Sequence, residues 1–64
     1  MTKLSMMKEM SNTYCTLSNN NIFTAQTEKF FKRFMEYRYI GIAKISKSDI
    51  KDLYDFSKTL KAWF

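Results

Sequence analysis

The chain has no proline, no histidine, one glycine and one cysteine in 64 residues. One thiol, Cys15, cannot close an internal disulfide. Without histidine it cannot complete a zinc site of the usual Cys/His kind, so no metal is expected. The group that most often moves protons near neutral pH is missing as well. A single glycine rules out a glycine-rich phosphate loop, and no cofactor is expected. A chain this short buries only about 60% of its unfolded surface. Small domains compensate with disulfides, metals or association. With the first two excluded, self-association or a partner remains.

Long hydrophobic runs are also absent. The longest, Tyr39–Ala43, falls far short of the ~20 residues needed to span a bilayer. Met1–Met10 carries Lys3, Lys8 and Glu9 and has no apolar stretch of signal-peptide length. A lone thiol suits a reducing compartment. The expectation is a cytoplasmic protein with no membrane partner.

What is present argues for a folded domain. The chain is 45% hydrophobic and 17% aromatic, too rich for disorder. Residues with AT-rich codons (Phe, Tyr, Met, Ile, Asn, Lys) make up 33 of the 64. Such a gene for a tiny basic protein fits a plasmid or phage, and equally any AT-rich genome.

Gly41 and the cluster Ser18–Asn21 divide the chain into three segments within one domain, residues 1–64. In the third, Ile50, Leu53, Tyr54, Phe56, Ser57, Leu60, Trp63 and Phe64 share half a helical wheel. Lys51, Asp52, Asp55, Lys58 and Thr59 share the other half. Ser46 and Asp49 have capping-box spacing, with Ser48 a competing cap. The pattern predicts a helix from about Asp49 to Trp63. In the middle segment Phe23, Phe30, Phe34 and Tyr37 form one stripe, which Phe31 and Met35 widen. Thr24 is the expected cap, and Gly41 the expected left-handed terminator. A helix over Ala25–Tyr39 follows.

In the first segment Leu4, Met7, Met10, Ser11 and Tyr14 share a face, flanked by Met6, so Lys3–Tyr14 reads as an amphipathic helix. Thr13–Leu17 has strand propensity, with only the short Ile42–Ile45 to pair with. The helix is preferred. The fold class is all-α: three helices, or two long helices plus a short N-terminal element.

Catalytic chemistry finds little support. Asp49, Asp52 and Asp55 repeat at i, i+3, i+6, yet they interleave with Lys51 and Lys58 within pairing distance. A solvated, salt-bridged face is the better reading. Cys15 lies between Tyr14 and Thr16, which supply neither a cation nor a helix N-terminus to activate a thiol. It reads as a buried or half-buried structural residue. An enzyme is not expected.

Charge is uneven. Residues 1–28 and 48–64 are each net neutral, so the net +5 lies in 29–47: Lys29, Lys32, Arg33, Arg38, Lys44 and Lys47 against Glu36. This basic stretch reads first as a solvated helix face, then as a surface for an acidic protein, and last as one for nucleic-acid phosphates. A helix-turn-helix fits poorly. The connection after Gly41 is too long, and Asp49 and Asp52 stand where base-reading groups belong. A small basic DNA- or RNA-binding regulator using 29–47 is the alternative reading, with weak or non-specific binding at most.

The aromatic residues point elsewhere. They exceed what a core of this size encloses, so apolar surface should remain and mark a partner site. Met6, Met7 and Met10 are expected to add an adaptable surface. Trp63 and Phe64 lie at the end of the last helix, with Phe56 and Leu60 on the same arc. These four are the candidate contact residues for self-association or a protein partner, the equal alternative being that they close the monomer's own core. The function expected is regulation by protein–protein contact, as a modulator or inhibitor of a transcription factor or nucleoid protein.

Overall fold

The computed structural model describes residues 1–63; Phe64 lies outside them. Three α-helices, α1 (Lys3–Asn19), α2 (Ala25–Ile40) and α3 (Lys47–Trp63), account for most of the chain, with a short 3-10 turn at Ile42–Lys44. No strand occurs among the described residues. The strand option for Thr13–Leu17 is thereby settled, because α1 runs straight through it. The all-α expectation holds.

Each helix begins on a hydroxyl. Thr2 accepts the Ser5 amide at 3.0 Å, and Thr24 accepts the Thr27 amide at 3.2 Å. In both, the N3 hydroxyl bonds back to the cap amide, a capping box with Ser or Thr in place of Glu. Ser46 accepts the Asp49 amide at 3.2 Å, so α3 begins two residues before the expected start and Ser46 prevails over Ser48.

The helix ends differ from one another. After α1, Asn21 has φ 55°. Its amide reaches Ser18 O and the Ile22 amide reaches Leu17 O. These are the two bonds of a Schellman motif, with asparagine in the position glycine usually fills. After α2, Gly41 has φ 95° and ψ 133°. The positive φ matches expectation; the ψ does not, since it lies well outside the left-handed helical well. A Cβ there would meet nothing within 4 Å, so backbone conformation rather than space requires glycine.

The helices form an up-down-up bundle. Tyr14 of α1 packs on Phe31 and Phe34 of α2, ring centroids 4.7 and 5.6 Å apart. α1 and α3 run parallel and approach most closely. Thr13 and Ser57 are buried between them. Their hydroxyls donate to Glu9 O and Tyr54 O of their own helices, which permits close approach without an unpartnered polar atom. Phe30 and Phe34 fill the space beneath α2, at 0% and 2% exposure.

Two expectations for α1 are corrected. Met6, Met7 and Met10 are not an adaptable surface; all three are buried in the core. The inward stripe is Met6, Met10, Thr13 and Leu17, and this register turns Leu4 and Ser11 outward. The same register puts Cys15 on the far side of the helix, where it is exposed rather than structural. Thr13 is acceptable inside because its hydroxyl donates to the Glu9 carbonyl four residues earlier.

Candidate functional site

Three features of the sequence marked candidate sites: the aspartates of α3, the basic stretch 29–47 and the aromatic end of α3. The aspartates form no catalytic or metal cluster. Asp55 accepts from Lys51 at 3.0 Å. Asp49 and Asp52 turn toward α2. No group of three or more potential metal ligands occurs among the described residues.

The six cations of the basic stretch are all exposed, but the helix points them in different directions. Lys29 and Arg33 face α3 and share a groove of ≈ 320 Å³ with Tyr37, Asp49 and Asp52. The Tyr37 hydroxyl first, then Glu36 and Asp49, hold the Arg33 guanidinium above its ordinary pKa. Lys32 lies on the outer face near Met35, Tyr39 and Ile40. Arg38 turns to the α1 side, its guanidinium 6.0 Å from the Phe34 ring centroid. Lys44 ends the 3-10 turn and Lys47 begins α3.

The aromatic end of α3 lies beside the start of α2. Phe56, Thr59, Leu60 and Trp63 line a groove of ≈ 410 Å³ whose opposite wall is Thr24 and Gln26. Leu60, 5% exposed, belongs to the core and forms the floor. Phe56 is half-buried, and Trp63 is 77% exposed on the rim. Phe64, the fourth candidate, lies outside the described residues. Phe56 borders both grooves of the α2–α3 cleft, one uncharged near Trp63 and one lined by opposite charges near Arg33 and Asp49. Thr24 and Gln26 were not anticipated as wall residues. Only the antiparallel seating of α2 on α3 brings them there.

A second cleft runs between α1 and α3 and is polar, with Glu9, Asn12, Lys58 and Lys61 along it. Within it the Tyr54 hydroxyl donates to Glu9 Oε2 at 2.6 Å. That bond, reinforced by burial, holds the Tyr54 phenol above its ordinary pKa. The sequence offers no signal for this contact, which joins residues 45 apart.

Comparison with protein-family models, with curated protein sequences and with solved structures finds no match to this chain.

Proposed function

We propose that the protein is a small regulator that acts by protein–protein contact, receiving a segment of its partner in the α2–α3 cleft. The observation that carries this reading is Trp63, 77% exposed beside the half-buried Phe56 on an uncharged groove. A large indole left in water at a groove rim is a typical interface anchor. The charge pattern of the cleft favours a segment that is apolar at one end and carries both signs of charge at the other. Lys29 and Arg33 would meet its acids, and Asp49 and Asp52 its bases. A transcription factor or nucleoid protein is the partner class we infer from the small size, the all-α class and the AT-rich codon composition. Nucleic-acid binding through residues 29–47 receives less support, since Lys29 and Arg33 are turned toward carboxylates.

Site-directed cross-linking tests this reading. Thr59→Cys in a Cys15→Ser background places a photoreactive label on the groove; the native Cys15 places the same label on the outer face of α1. In nuclease-treated lysate the groove label should capture one DNA-associated regulatory protein that the Cys15 label does not, and Trp63→Ala should abolish the adduct. Equal capture from both faces, or an adduct that survives Trp63→Ala, overturns the proposal.

A further inference from the structure

The fold gathers charge that the linear sequence scatters. Lys3 Nζ donates to Ile42 O at 3.0 Å, tying the start of α1 to the turn between α2 and α3. Residues 1–8 and 37–48 thus meet at one end of the bundle. Together they hold Lys3, Lys8, Arg38, Lys44 and Lys47 and not one carboxylate. The rest of the chain has six cations and six carboxylates, so this tip carries the whole net +5. The acids at its border are engaged elsewhere: Asp49 and Asp52 line the cleft with Lys29 and Arg33, Glu9 accepts from the Tyr54 hydroxyl, and Glu36, beside Tyr39 and Ile40, pairs with Arg33 at 3.9 Å. Neither ion pair among the described residues involves a cation of the tip.

Apolar side chains protrude from the same end. Tyr39 is 94% exposed, and Leu4 and Ile40 are each at least half exposed. The positive φ of Gly41 turns the chain immediately after Tyr39 and Ile40, leaving both at the extremity of α2.

We propose that this tip docks on an anionic lipid surface, with the Lys and Arg side chains at the headgroups and Leu4, Tyr39 and Ile40 in the interfacial layer. Charge complementarity supplies the attraction, and the kind of exposed group selects lipid over nucleic acid. Two of the three apolar groups are aliphatic, which gain from an acyl boundary and little from phosphate and sugar. The one aromatic ring is no stacking platform for successive bases. Four of the five cations are lysine, which serves a diffuse headgroup field as a point charge but lacks the fork that reads bases. No helix among the described residues is long and apolar enough to cross a membrane, so the contact is peripheral, and it departs from the expectation of no membrane partner drawn from the sequence. It is independent of the α2–α3 cleft.

Vesicle co-sedimentation of the full chain tests the proposal. The protein should pellet with phosphatidylcholine vesicles containing phosphatidylglycerol, remain free with phosphatidylcholine alone, and be released by salt. Lys44→Gln and Lys47→Gln should each weaken binding about fivefold. Tyr39→Ser with Ile40→Ser should weaken it about tenfold or more. All four positions are exposed, so circular dichroism should show an unchanged fold. Trp63, near the opposite end, gives the orientation: its emission should stay that of an indole in water on binding. A blue shift, equal binding to neutral vesicles, or displacement by duplex DNA at matched phosphate and ~0.1 M salt would overturn the proposal.

Discussion

α3 faces two neighbours and meets them differently. Against α1 it presents Ser57, opposite Thr13, and the two helices approach closely, with a polar cleft of ≈ 480 Å³ along the seam's edge. On the α2 side the core is filled by Phe30 and Phe34, whose rings stack 5.7 Å apart. Small side chains thus close one seam at its centre and large rings fill the other, while both keep a cleft along the outer edge. The two clefts differ in lining rather than in size: polar at α1–α3, with an uncharged end at α2–α3.

Removing one of these rings should break this contrast most severely. Phe30→Ala deletes a ring at 0% exposure in a chain with few others to replace it. The expected loss is about 3–5 kcal/mol, most or all of the stability of so small a domain. Chemical denaturation should show an unfolded or barely folded protein. A midpoint close to that of the parent would mean that α2 is seated by something other than its rings.

Forcing the closed seam open should cost less. Ser57→Leu places a large side chain where Ser57 is 1% exposed between α1 and α3. Overpacking typically costs about 1–3 kcal/mol, so the protein should stay helical with a lower melting temperature. An unchanged melting temperature would show that the seam has slack, against the role assigned here to small residues.

The fold was largely legible in the sequence, and the reason differs between helices. α3 could be read because every buried position, Ile50, Leu53, Tyr54, Ser57 and Leu60, falls on the arc drawn from periodicity. In α2 the stripe was right at Phe30 and Phe34, but buried Thr27 was missed. It is inside because its hydroxyl serves both Ile22 O, at 2.9 Å, and the cap. α1 was hardest, because inward Met6 stands at the flank of the expected face and inward Thr13 lies outside it. Of the candidate site, the α3 wall was legible through Phe56 and Trp63. The Thr24–Gln26 wall and the joining of Lys3 to Ile42 were not, since both depend on which helix ends meet.

The Tyr54–Glu9 bond sharpens the closed seam chemically. A phenol whose pKa is raised on folding favours the folded state while it is protonated. The unfolded chain loses its proton first, near pH 10. Stability from this group is therefore fully present below about pH 10 and is lost as pH rises through the higher folded value. Melting temperature measured from pH 8 to 11 should fall at the alkaline end, with a smaller fall in Tyr54→Phe. Identical profiles would show that the bond does not persist in solution.

The smallest expected effect falls at the open groove, and it separates an anchor from a core residue. Trp63 is 77% exposed in the last described turn of α3. Trp63→Ala removes an indole that is already mostly in water, so stability should change by no more than about 0.5 kcal/mol. Phe56, half-buried on the same groove, tests the gradient: Phe56→Ala should cost more than Trp63→Ala and less than Phe30→Ala. Thermal melts of the three variants under one set of conditions should fall in that order. If Trp63→Ala proves as damaging as Phe56→Ala, the indole closes the monomer's own core, and the groove loses the residue on which its role as a partner site depends. If Trp63→Ala is neutral, burying the indole remains a gain that only a contact outside the monomer can realise.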